Sequence, residues 1–209
     1  PNVYVLSKAG ARVAYEEGWT QKHVTPRRYG PKSSLFLAHE LAIRDVRVWL
    51  ERTAQKREDW NLMRWEDGTD AHFDLKERSS PFIVRPDAWF IFQLGVTRLV
   101  GIVEVDRGTE RGDKRWKEKL LAYDTLYRSP CLKATTGYEN ARILTLTPTE
   151  RRRDTLANLI ARHAKPDMTP RFWFADMKAL QEPGFAYEGW RQAEEKSLST
   201  LLPPSVTGS

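Results

Sequence analysis

LVGIVEVDRGTE, residues 99–110, decides how the rest of the chain is read. Leu99 to Val103 is a short apolar run of strand length, bounded by turn-forming residues. Two acids, Glu104 and Asp106, alternate at its exit. Being two apart on an extended chain, they share one face. Acids usually sit in the solvated loop beyond a strand, not on its last step out of the core. Their placement needs a reason, and it lies in the neighbouring segments.

Upstream, Pro86-Asp87 opens a second apolar run that continues to Leu94, and Gly95 lies in the turn between the two runs. An antiparallel hairpin puts the start of one strand beside the end of the other, so Asp87 and Glu104 should meet at one edge of the sheet. Two carboxylates held close repel unless a cation or proton lies between them. Hard oxygen ligands of this kind suit Mg²⁺ or Mn²⁺. Each acid also has a plainer reading: Asp87 after a proline is good turn chemistry, and Glu104 is able to pair with Lys119 or Arg107.

Downstream, a helix is expected over roughly 113–128. Trp116, Lys119, Leu120, Tyr123 and Tyr127 fall on one face of it, directed at the sheet. Lys119 would stabilise charge on a phosphate, and Tyr123 would orient it. An earlier helix, about 35–55, carries a buried stripe of Leu35, Ala38, Ala42, Val46, Trp49 and Leu50, with His39 and Glu40 at its edge. Glu40 is the candidate third acid for the metal.

Further strands are expected at 3–6, 60–65, 82–84, 141–146 and 172–175, with helices at 8–17 and from Thr149 to near His163. The order helix, three strands, helix, strand, helix, strand implies an α+β fold with a mixed sheet and helices on both sides. The 149–163 helix reads as solvated and amphipathic. The basic stretch 19–34, with Arg27 and Arg28, reads as a linker or a phosphate contact.

The chain has 209 residues, 34 basic and 28 acidic side chains and a net charge of +6, which permits a polyanion partner. Arg27, Arg28, Arg107 and Lys114 are the candidate nucleic-acid contacts. One cysteine, Cys131, excludes an internal disulfide and fits a reducing, cytoplasmic compartment. No run of 18 apolar residues is present, so no membrane helix is expected. No Cys/His cluster suggests zinc, and no GxxxxGK[ST] loop suggests an NTPase. The chain opens on Pro1, as an excised piece would, and its 201–209 tail reads as disordered.

RPDAWFIF, LVGIVEVD and KLLAY, on this order of elements, resemble the PD-(D/E)XK nuclease superfamily. Pro86-Asp87 matches its first motif and Glu104-Val105-Asp106 its second. Lys119 to Tyr123 resembles the QxxxY helix of the RecB-like branch, and His39-Glu40 its acidic first helix. The resemblance implies a restriction-endonuclease-like core and metal-dependent DNA cleavage, with Asp87, Glu104, Lys119, Tyr123 and Asp106 as its catalytic set. Asp106 stands where the superfamily usually has lysine, and Lys119 is the surrogate.

YVLSKAGARV, LFLAHELAIRDVRVWLE and VEVDRGTERGDKRWKEKLLAYDTLY are similar to the replication-relaxation family of plasmids and integrated mobile elements. That similarity implies a remnant of a winged helix over 1–18, a linker over 19–34 and a nuclease-like domain over 35–200. It implies DNA as the partner, leaves a homodimer open, and offers two functions. One is a metal-dependent endonuclease or nickase. The other is a non-catalytic DNA-binding replication or mobilisation factor.

Overall fold

The computed structural model describes residues 8–18, 34–75, 82–108, 113–181, 185 and 188–201. Two compact units divide the chain, 1–40 and 41–209. The first contains helix α1 (Lys8–Glu16) and the opening turns of helix α2 (Ser34–Ala54). The strand expected at 3–6 and the basic stretch with Arg27 and Arg28 lie outside the described residues.

The described residues of the second unit form eight strands. Two of them, β2 (Phe73–Leu75) and β3 (Phe82–Val84), pair with each other in a separate antiparallel ribbon. The other six make the main sheet: β1 (Trp60–Asp67), β4 (Ala88–Leu94), β5 (Thr97–Val105), β6 (Arg142–Thr147), β7 (Phe172–Asp176) and β8 (Arg191–Gln192), in that spatial order. β1, β4 and β5 run antiparallel; β5, β6 and β7 run parallel; β8 closes the far edge antiparallel. The sheet is therefore mixed, and β5 is the strand at which its direction rule changes. Helices α3 (Lys114–Tyr127) and α4 (Cys131–Thr136) carry the chain from β5 to β6, and α5 (Glu150–His163) carries it from β6 to β7.

Both faces of β5 are covered, which is why its sequence reads as a continuous apolar run and not an alternation. Val100 and Ile102 face a core shared with Trp116 and Leu120 of α3 and with Leu156 and Ile160 of α5. Leu99, Val103 and Val105 face the other way, into a core shared with Ala42, Ile43, Val46, Trp49 and Leu50 of α2. Leu201, expected at the head of a disordered tail, is buried in this second core. Gly101 lies against the ring of Phe90, its partner on the neighbouring strand. A Cβ there would lie 2.3 Å from the Phe90 ring, so only glycine fits without a shift.

Several elements are not legible in the sequence. The strand expected at 82–84 forms, but outside the main sheet, because its partner β2 is too short to announce itself. Residues Gly68–Ala71 form a 3₁₀ turn, and α4 and β8 are short additions. A turn of four residues, a six-residue helix and a two-residue strand carry too little periodicity to be read. Helix α5 is amphipathic, as expected, with Leu156, Ala157, Leu159 and Ile160 on its buried face and Arg153 buried beside them. Thr149 caps it, accepting from the Arg152 amide at 3.3 Å. Among the described residues no helix is long and apolar enough to cross a membrane.

Candidate functional site

The hairpin of β4 and β5 has the register the sequence predicts. Ala88 pairs with Val103, so the next step outward sets Asp87 against Glu104. The Asp87 backbone N–H donates to the Val103 carbonyl at 3.1 Å. Its carboxylate then accepts from the Val105 N–H at 2.7 Å. A side-chain oxygen thus continues the ladder where the backbone of β4 has turned away, and the carboxylate is fixed at the sheet edge. Pro86 supplies no N–H and favours an extended residue before it, which suits a strand entry.

Glu104 is the centre of the cluster and is only 2% exposed. Its side chain lies on the same face as Val100 and Ile102, under α3. Lys119 donates to one carboxylate oxygen at 2.6 Å, and the Tyr123 hydroxyl donates to the other at 2.5 Å. Both donors come from one helix face because they are four residues apart. The Lys119 ammonium also lies 5.1 Å from the Trp116 ring centroid, three residues back on the same face. Lys119 keeps 24% side-chain exposure, so the cluster reaches solvent along that side chain.

Burial pushes the Glu104 carboxyl above the usual range; the Lys119 charge opposes this and the Asp87 charge adds to it. That mutual repulsion is the electrostatic signature of two acids at one edge. Burial also raises the Tyr123 phenol well above its ordinary value, reinforced by the Glu104 charge beside it. Tyr123 therefore remains a neutral hydrogen-bond donor at any physiological pH.

Thr145 of β6 pairs in parallel register with Glu104, so the two side chains share a face. Its hydroxyl is fully buried and has no hydrogen-bond partner among the described residues. An orphaned hydroxyl on the same face as the Glu104 carboxylate fits an environment that takes one more polar group, such as a hard cation with its water. The donor chemistry of Asp87, Glu104 and Thr145 is all oxygen, as Mg²⁺ and Mn²⁺ require. Among the described residues no group of three or more His, Cys, Asp or Glu converges.

The remaining expected residues have other surroundings. Asp106 is 6% exposed; its carboxylate pairs with Arg152 of α5 at 2.5 Å and accepts from the Gly108 N–H at 3.0 Å. Its own N–H donates to the Leu146 carbonyl at 2.8 Å. Asp106 is thus held by α5, while Glu104 is held by α3. Arg107 is half-buried at the exit of β5. Lys114 is exposed on the first turn of α3, 4.0 Å from Glu118. His39 and Glu40 are half-buried on α2, within the first unit.

Two participants escape a reading of the sequence. Arg152 lies 46 positions from Asp106, and only the parallel crossover brings them together. Thr145 sits inside an apolar strand, where a threonine reads as an ordinary β-former.

No curated protein and no solved structure matches the chain. The family model described as replication-relaxation matches residues 1–140, which is 140 of 209 positions. The match spans Asp87, Glu104, Lys119 and Tyr123, and it ends before β6. The chain belongs to the replication-relaxation family.

Proposed function

We propose that the protein processes DNA for a plasmid or integrative element, and that the edge formed by Asp87 and Glu104 is a divalent-metal site for phosphodiester cleavage. Membership of the replication-relaxation family supports a replication- or relaxation-related role. The observation that carries the chemical reading is Glu104. A buried carboxylate at a strand exit is gripped by a lysine and a tyrosine from one helix face and feels the charge of a second carboxylate.

Asp87 and Glu104 are the residues that would hold Mg²⁺ or Mn²⁺, which would supply charge neutralisation at a scissile phosphate and a more acidic water. The chain's own groups do the positioning. The Val105 N–H fixes the Asp87 carboxylate. Tyr123 fixes the rotamer of Glu104 without exchanging its proton. Lys119, partly open to solvent, presents its ammonium to a phosphate oxygen and takes the part of the lysine absent from position 106. Supercoiled plasmid incubated with the protein and Mg²⁺ or Mn²⁺ tests this. Nicking should fall about a hundredfold or more in Asp87→Asn and Glu104→Gln; equal nicking by wild type and both variants sinks the catalytic reading.

Two observations favour a second reading. The Asp106–Arg152 pair closes the position at which a strand lysine would act, and both Glu104 oxygens already hold donors. On this reading the protein is a non-catalytic DNA-binding replication or mobilisation factor. The sheet domain then docks a partner or a second copy. Metal titration by calorimetry separates the two. Divalent binding abolished by Glu104→Ala supports the first reading, and no binding at millimolar metal supports the second.

A further inference from the structure

The opposite end of the sheet carries a second charged feature. β5 begins at Thr97, and Arg98 is six residues before Glu104, a separation of about 20 Å along an extended strand. Here a groove of about 780 Å³ runs past the start of β5 and the entry points of the parallel strands β6 and β7. Three guanidinium groups line it: Arg98 of β5, Arg142 at the first position of β6, and Arg171 immediately before β7.

None of the three has a carboxylate within ion-pair distance among the described residues. Each is held instead by neutral groups. Arg98 donates to the Tyr138 hydroxyl at 3.0 Å. Arg142 donates to the Leu201 carbonyl at 2.5 Å and lies 4.7 Å from the Trp173 ring centroid. Arg171 donates to the Asn140 side-chain carbonyl at 2.8 Å and lies 4.4 Å from the Tyr127 ring centroid. The acid that lines the groove, Asp167, gives its carboxylate to Arg128 at 3.0 Å, and Arg171 takes only its backbone carbonyl.

This differs from the usual way a folded chain treats arginine. Structural guanidiniums are neutralised, as Arg152 is by Asp106 and Arg191 by Asp154. Here aromatic rings, carbonyls and a tyrosine hydroxyl orient three cations, and no described carboxylate compensates their charge. Partial burial already pushes the Arg142 guanidinium below its ordinary value, so that charge stands in surroundings that oppose it. Oriented, uncompensated guanidiniums in one open groove are the chemistry of phosphate recognition.

We propose that Arg98, Arg142 and Arg171 form a binding groove for the phosphodiester backbone of DNA, separate from the acidic edge at the other end of β5. The choice of DNA rests on the replication-relaxation reading, whereas the anion chemistry rests on the groove alone. Neither needs the acidic edge to be catalytic.

The test is the affinity of the full chain for a fluorescent duplex, read by anisotropy across a salt series in EDTA, so that no metal-dependent step enters. Each lost phosphate contact reduces the slope of log affinity against log salt by about 0.9. Arg98→Gln/Arg171→Gln should reduce the slope by about 2 and weaken binding roughly tenfold or more at low salt. Arg98→Glu/Arg171→Glu should weaken it further. Lys133→Gln, which loses a cation paired with Glu139 at 2.7 Å, serves as the comparison and should change the slope little. Thermal melts confirm that each variant folds. Folded double variants with wild-type slope and affinity overturn the proposal. Displacement of the duplex by low-millimolar inorganic phosphate at constant ionic strength also overturns it, because the groove is then a small-anion site. A wild-type chain that binds duplex with the expected slope but leaves plasmid intact counts against the acidic edge and supports the groove.

Discussion

The Tyr123 hydroxyl donates to the Glu104 carboxylate at 2.5 Å, and neither residue is more than 2% exposed. The bond joins a helix and a strand that share no local sequence. Its removal by Tyr123→Phe leaves a buried carboxylate oxygen short of a donor. Such a loss costs about 1–3 kcal/mol, more when the acceptor is charged. Urea unfolding should show a lower midpoint at unchanged slope. A midpoint equal to wild type would mean that the Lys119 ammonium alone satisfies Glu104.

Gly101 makes a sharper prediction about the core. It pairs across the hairpin with Phe90, and a Cβ at position 101 would lie 2.3 Å from the nearest ring carbon. Gly101→Ala must therefore displace the ring, which itself packs edge-on to Phe185 at 6.0 Å between centroids. Overpacking of this kind costs roughly 1–3 kcal/mol. Combining it with Phe90→Leu should recover part of that loss, relative to the sum of the single changes. Strict additivity in a double-mutant cycle would show that the ring is not what the methyl meets.

The hairpin, the acid pair and the helix that follows are legible in the sequence because each depends on short-range pattern. Two apolar runs joined at Gly95 set the register, and that register alone places Asp87 opposite Glu104. The spacing of Lys119 and Tyr123 puts both on one helix face, and the strand lies beneath it. What escapes the sequence depends on the order of the parallel strands. Nothing near Asp106 announces Arg152, and nothing near Arg98 announces Arg142 or Arg171. Alternation on one strand groups Asp106 with Glu104, yet α5 holds the first and α3 the second. The strand ends at Val105, and the period of two ends with it.

Acid should loosen the anchor of α3. Asp124 is largely buried, which pushes its carboxyl up, but hydrogen bonds from Arg128 at 2.9 Å and Lys165 at 2.7 Å outweigh that and hold it below the ordinary value. Its folded pKa therefore lies under its unfolded one. The stabilisation is fully present above the unfolded value, near 3.8, and is lost as pH falls through the depressed folded value. Asp124→Asn should be less stable than wild type at neutral pH, and the gap should narrow as pH falls below about 4. Stability measured by urea unfolding from about pH 7 down to about pH 2 checks this. A gap that stays constant over that range would show that Asp124 does not titrate differently in the two states.

Arg152 and Asp106 test the wiring of the sheet's parallel half. The pair is mostly buried, with the Asp106 side chain 3% and the Arg152 side chain 21% exposed. Among the described residues, Arg152→Ala leaves a buried carboxylate with the Gly108 N–H as its one remaining donor. Breaking one side of such a pair costs about 3–5 kcal/mol, whereas replacing both sides with uncharged groups of similar volume is often close to neutral. Arg152→Met/Asp106→Asn should therefore be more stable than Arg152→Ala by about 2 kcal/mol or more. The same double variant bears on the chemistry. If Asp106 only anchors α5 to the exit of β5, the variant nicks plasmid and binds divalent metal as wild type does. If its metal affinity falls as far as that of Glu104→Ala, Asp106 belongs with the acidic pair, and its partnership with Arg152 is broken when metal binds.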